Sequence, residues 1–225
     1  MMRRVLAVEI EELLFDTRPV RAAALCEALA QEGVIVSHDA VAAAHAGVTG
    51  TLALKRLSAV HTLDGTGREL VLHRAAALAS RALDVQAPAF DTDVCNRLAA
   101  LATELPLAVV TRASLEQAHR WLAAAGLEAG VATVRSLEAL EPDAYVTVWR
   151  EVLQRTFAEQ GVAIAALPLL AVAARAGFRT VHIADARDDG GAGYHADVTL
   201  ASLSQVDAGF LAALFPKPHA VHPAP

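Results

Sequence analysis

The sequence predicts an α/β protein: a Rossmann-like parallel sheet interrupted near its start by an α-helical insert. Three observations carry that expectation. A short apolar run at residues 4–8 ends in acids, as a buried strand does. From residue 20 to about 83 the pattern turns helical and alanine-rich. Beyond residue 107 strand-like and helix-like segments alternate, which favours parallel strands with helices on both faces.

Taken in order, the insert contains helical stretches at 21–32, closed by Gly33, then 39–45, 52–57 and 69–83. Breaks fall at 47–50 and at 64–67, where glycines interrupt the pattern. Pro88 ends this section and residues 91–101 begin another helix. The alternating half reads as strand 107–110, helix 114–125 stopped by Gly126, and strand 132–134. Helix 143–159 follows behind Pro142, then strand 162–166, helix 168–176 closed by Gly177, strand 180–184, strand 198–201 and helix 206–214. The expected organisation is a core of residues 1–17 and 88–215, a helical cap at 18–87, and a flexible tail at 216–225 with four prolines.

Composition narrows the classes of function. Of 225 residues, 55% are hydrophobic and 20% charged, which excludes disorder for the bulk of the chain. Mean hydropathy is high at +0.38. The longest apolar run, 162–174, has only 13 residues and contains Pro168, so it reads as core rather than a membrane span. A net charge of −6 argues against nucleic acid as a partner. Acids at Glu9, Glu11 and Glu12 cut the N-terminal apolar run too short for a signal peptide. Cys26 and Cys95 form no metal or disulfide framework, so a reduced, cytoplasmic setting is expected.

In open parallel sheets ligands sit beyond the carboxyl ends of the strands. The first strand end reads Glu9-Ile10-Glu11-Glu12-Leu13-Leu14-Phe15-Asp16-Thr17. The second is Leu107-Ala108-Val109-Val110-Thr111, continuing Arg112-Ala113-Ser114. The third region holds Ala139-Leu140-Glu141-Pro142-Asp143-Ala144-Tyr145, and the fourth carries Ala165 and Ala166 before a helix ending Ala176-Gly177. The order resembles the haloacid dehalogenase-like (HAD) phosphohydrolases of the beta-phosphoglucomutase type with a helical cap, over about residues 4–214. That family's first motif is Asp-x-Asp-Gly-Thr-Leu-x-Asp-Thr, of which Leu14, Asp16 and Thr17 match. The second motif is intact at Thr111, the third lacks its lysine at Ala139, and the fourth has alanine where two acids belong.

The resemblance implies a role for each position. In such enzymes the first Asp attacks phosphorus and binds Mg²⁺, and the Asp two residues on protonates the leaving group. The motif Thr with nearby N–H groups holds the phosphoryl oxygens, and the lysine offsets their charge. Glu9 and Glu11 keep the charge but add a methylene each, and a displacement of about 1 Å can cost on the order of 100-fold in rate. The candidate site is therefore Glu9, Glu11 and Thr111 at catalytic positions, with Thr111 and Arg112 as phosphate ligands and no metal site. The expectation is a HAD-like protein without the chemistry, acting by binding a protein, a small molecule or a second copy of itself, with no cofactor. The alternative is an active phosphatase or phosphomutase using Glu9 with Mg²⁺.

Other features have plainer readings. Glu9 and Glu11 could be remnants, solvated or paired with Arg112, and Thr111 a hydroxyl capping the next helix. Asp64-Gly65-Thr66 reads as a turn, Asp185 to Gly193 as a solvated loop rather than a metal site, and Gly47 to Gly50 as a helix–helix turn. His219 and His222 are a close pair in the proline-rich tail, with metal binding the lesser reading. Cys26 reads as a small core residue, and Trp121 and Trp149 as packing residues.

Overall fold

The structure, a computed structural model, describes residues 3–11, 13–45, 50–57, 62–85, 89–138, 140, 142–184 and 195–215. Among the described residues six strands form one sheet in the order β3-β2-β1-β4-β5-β6. They are β1 (Arg4–Glu9), β2 (Leu107–Thr111), β3 (Val131–Ser136), β4 (Gln160–Ile164), β5 (Arg179–Ile183) and β6 (Val198–Leu200). Every pairing is parallel, and β1 lies between β2 and β4, with Val8 opposite both Val109 and Ile164. Strand order therefore reverses beside β1, which puts the ligand-binding crevice of such a sheet at its carboxyl end.

Burial on both faces explains why these strands are apolar runs rather than alternating ones. Leu6, Val8, Val109, Val162 and Ile164 enter one core, with Leu98 and Leu101 of α5 (Thr92–Glu104), Trp121 of α6 (Leu115–Ala124) and Leu211 of α9 (Ala208–Leu214). Val5, Ala7, Ala108, Val110 and Ala163 enter the other, with Trp149 of α7 (Tyr145–Arg155) and Leu170 of α8 (Leu167–Arg175). Ala7 lies in register with both Ala108 and Ala163, a row of small side chains in the core that also takes Trp149 and Phe178. Trp149 and Phe178 meet edge to face, with centroids 5.3 Å apart.

Between β1 and α5 the described residues form four helices, α1 (Arg18–Gln31), α2 (His38–His45), α3 (Gly50–Arg56) and α4 (Gly65–Val85). They share a separate apolar cluster built from Leu25, Leu29, Val41, Leu54, Leu57 and Val71. An Arg74–Glu32 ion pair joins α4 to the end of α1. The backbone N–H of Asp91 donates to the Leu14 carbonyl at 3.0 Å, so the chain leaves and rejoins the sheet layer at neighbouring points. Asp91 then caps α5 by accepting from the N–H groups of Asp93 and Val94. Among the described residues no helix is long and apolar enough to cross a membrane.

Element boundaries differ from the sequence expectation in places with clear causes. Helix α4 starts at Gly65 rather than 69, because Asp64 Oδ1 accepts the Gly67 N–H at 2.7 Å and begins the helix where a turn was expected. Helix α7 stops at Arg155 rather than 159, where Phe157 adopts a left-handed φ of 52° and Ala158 N–H closes back on Leu153. Strand β4 consequently begins at Gln160 rather than 162. The expected features at Glu12, 47–49, 87–88, Ala139, 185–194 and 216–225, including Asp185 and the His219–His222 pair, lie outside the described residues.

Gly161 on β4 has no room for a side chain, since a Cβ there would overlap the Phe178 ring. Gly161→Ala should therefore cost about 1–3 kcal/mol through overpacking. Thermal unfolding is the measure, with an expected drop of roughly 2–4 °C per kcal/mol. An unchanged midpoint would show that Phe178 moves aside freely.

Candidate functional site

The carboxyl ends of β1, β2 and β4 bring together four residues expected from the sequence. Glu9 ends β1, Thr111 ends β2, Glu11 sits two residues past β1, and Arg112 begins the loop before α6. Three of these side chains are withdrawn from solvent: Glu9 and Thr111 are 0% exposed and Glu11 is 1% exposed. Solvated remnants they are not. At that depth each charge needs a partner, and the partners identify what the site has become.

Glu9 is held on both oxygens. Its Oε1 lies 2.8 Å from Arg112 Nε in an ion pair, and its Oε2 accepts the backbone N–H of Ala166 at 2.9 Å. Ala166 precedes α8, where no side-chain cap is present, and Pro168 stands in the helix's first turn. The sheet thus places a backbone donor where the resemblance expects an acid.

Glu11 does not pair with Arg112's side chain. Its Oε1 accepts three hydrogen bonds: from Thr111 Oγ1 at 2.8 Å, from Arg112 N–H at 2.7 Å and from Ala113 N–H at 3.0 Å. Thr111 Oγ1 in turn accepts from Ala113 N–H at 3.1 Å. The expected capping role belongs instead to Ser114, whose hydroxyl accepts the Gln117 N–H and starts α6. Glu11 Oε2 is buried and has no hydrogen-bond partner among the described residues.

Sequence reasoning named Arg112 as the nearby cation and missed Arg21. Arg21 Nη2 lies 3.9 Å from Glu11 Oε1, and Arg21 Nε donates to the buried Thr17 hydroxyl at 3.0 Å. The available signal was positional: Arg21 stands four residues after Thr17, one turn into the helix that leaves the site. Among the described residues, Glu9 pairs with Arg112 and Glu11 lies near Arg21.

A Mg²⁺ ion does not fit these residues. The guanidinium of Arg112 stands against Glu9, and neither Ala165 nor Ala166 has a side-chain oxygen to coordinate the ion. Among the described residues no group of three His, Cys, Asp or Glu side chains is arranged to hold a metal. Cys26 packs against the apolar cluster of the inserted helices, and burial pushes its thiol above the ordinary range. Trp121 packs edge to face on Phe15, centroids 4.7 Å apart, in the packing role expected of it.

The parallel sheet, its strand order and the helices inserted after β1 define a haloacid dehalogenase-like fold. Among solved structures, a HAD-like hydrolase of Streptococcus pneumoniae superposes with a TM-score of 0.71 at 13% identity, covering 95% of this chain and 99% of that one. CbbY of Rhodobacter sphaeroides, solved with xylulose-1,5-bisphosphate, gives 0.64 at 18% identity over 91% and 96% of the two chains. A beta-phosphoglucomutase of Clostridium difficile gives 0.62 at 9% identity over 95% and 97%. No family model and no curated protein matches the sequence. At these identities the likeness establishes the fold, and function must be argued from the site.

Proposed function

We propose that this protein is a HAD-fold protein that works by binding a protein or small-molecule partner and has given up phosphoryl transfer. The observation that carries this is the state of Glu9. A carboxylate that attacks phosphorus needs an oxygen open to substrate and a cation to offset charge on the phosphoryl group. Glu9 has one oxygen against Arg112 and the other on the Ala166 N–H, in a position closed to solvent. The reading is supported further by Glu11, whose carboxylate fills the three donors that would hold a phosphoryl oxygen.

A second reading, an active hydrolase using Glu9 with Mg²⁺, is favoured by one placement. Glu9 ends the central strand at the point where strand order reverses, which is where this sheet architecture puts its chemistry. A single experiment separates the two. The purified chain is incubated with para-nitrophenyl phosphate and small sugar phosphates, with and without Mg²⁺. The expected result is no release of phosphate above background. Turnover abolished by both EDTA and Thr111→Ala would overturn the proposal and establish the hydrolase.

A further inference from the structure

We infer that helix α6 locks the inserted helices to the sheet layer, with the buried Gln117 side chain as the bolt, so that insert and core move as one body. The inference is independent of whether Glu9 is catalytic. Its first support is the packing of α4. Val71 lies in the insert's own apolar cluster, with Leu72, Ala75 and Leu78 against it, whereas Leu83 belongs to the core cluster that holds Leu6, Val8 and Trp121. One continuous helix thus has its middle turns in the insert's cluster and its last turn in that of the sheet. Helix α1 does the same from its other end: Val20 packs against the core cluster, and Leu25 and Leu29 lie in that of the insert. The helices that open and close the insert are therefore both rooted in the core.

One face of α6 holds both roots. Gln117 is buried, and its Nε2 donates to Asp84 Oδ1 at 2.8 Å and to the Ser80 carbonyl at 3.3 Å. Ser80 and Asp84 are one helical turn apart, so a single amide spans the last two turns of α4. Arg120, three residues on from Gln117, pairs with the same Asp84 carboxylate. Trp121, four residues on, meets Phe15 edge to face, and Phe15 meets Phe90 in the same way with centroids 5.5 Å apart. Phe15 and Phe90 stand on the segments that leave and rejoin the sheet layer. Local energetics do not explain Asp84. It is an acid in the last turn of α4, where the helix dipole favours cations and no basic residue is present. Aspartate is also a poor helix former. Its partners on α6 account for it, since a hydrogen bond to a charged acceptor is about twice as strong as a neutral one.

The test uses the full chain and follows its backbone amides by NMR relaxation and hydrogen exchange. In the native protein the amides of α1 to α4 and those of the sheet should fit one rotational correlation time. A separate, shorter time for the insert overturns the inference. Asp84→Ala then sets the lock against local helix energetics. Alanine improves α4 on its own terms, so a purely local role for Asp84 gives equal or slower exchange. Loss of the lock gives the reverse: the amides of Ser80 to Val85 and of α1 should exchange at least about tenfold faster, with a smaller change at β2. Gln117→Met keeps the length of the side chain, drops its amide and should accelerate the same amides. Exchange unaltered or slowed in Asp84→Ala overturns the lock, and so does acceleration of equal size across the whole chain. Acceleration in Asp84→Ala but not in Gln117→Met assigns the lock to Arg120 and overturns the part given to Gln117. Should Gln117→Met fail to fold, Asp84→Ala decides, because the Asp84 side chain is 42% exposed and its removal leaves no buried gap.

Discussion

Arg112→Met should lower the stability of the folded chain by about 3–5 kcal/mol, the usual cost of stripping one partner from a buried ion pair. Glu9 is fully buried, so the variant removes the guanidinium 2.8 Å from its Oε1 and keeps the Ala166 N–H on its Oε2. For a chain of this size the unfolding midpoint should fall by roughly 10 °C, at about 2–4 °C per kcal/mol. The reverse substitution is milder. Glu9→Met leaves a guanidinium whose side chain is 17% exposed and can turn toward water. In the Glu9→Met, Arg112→Met double variant neither charge remains, and much of the loss should be recovered. Chemical denaturation of the four proteins gives the coupling directly. Catalytic groups commonly behave the other way, since active sites hold strained or mutually repelling groups whose removal gains stability. A stabilised Arg112→Met would therefore argue for a working site.

The sheet was legible in the sequence because both of its faces are buried. Residues 4–8 and 107–110 read as continuous apolar runs, and they form β1 and β2 with the acids and Thr111 at their ends. The inserted helices were legible from alanine-rich periodicity, although Asp64 draws the start of α4 four residues earlier than expected. The site was legible as a list of residues and not as a set of bonds. Glu11 and Thr111 are 100 positions apart, and Glu9 meets an N–H 157 positions away. A backbone N–H has no sequence signature: Ala166 reads as a missing acid, while the structure gives it a donor's role toward Glu9. Arg112 read as a phosphate ligand because it follows Thr111. Packing turned its side chain to Glu9 and its backbone N–H to Glu11 Oε1. Which of two neighbouring carboxylates a guanidinium meets is decided by loop conformation, and the sequence pattern does not encode that.

Removing the guanidinium and supplying an acid should convert the cluster into a divalent-cation site, and neither change should suffice alone. Ala166→Asp places a second carboxylate on the residue whose N–H lies 2.9 Å from Glu9 Oε2. With Arg112 still present, its charge is shared between the two acids, so Mg²⁺ has no uncompensated pair to bind. With Arg112→Asn as well, two carboxylates face each other without that guanidinium between them. The metal-free double variant should then be less stable than the native chain, by like-charge repulsion. Mg²⁺ commonly binds through one or two carboxylates and retained waters, which this pair can offer. At a hundredfold excess over its dissociation constant the ion should return about 2.7 kcal/mol. That corresponds to a midpoint rise of roughly 5–10 °C, absent from the native chain and from Ala166→Asp alone. Glu9→Asp with Glu11→Asp should gain no such response, because shortening both acids removes neither the guanidinium nor the need for an oxygen at position 166. If Ala166→Asp alone bound Mg²⁺ as well as the double variant, Arg112 would not be what keeps the ion out. If the folded double variant showed no response, a missing acid would not be the defect at the end of β4.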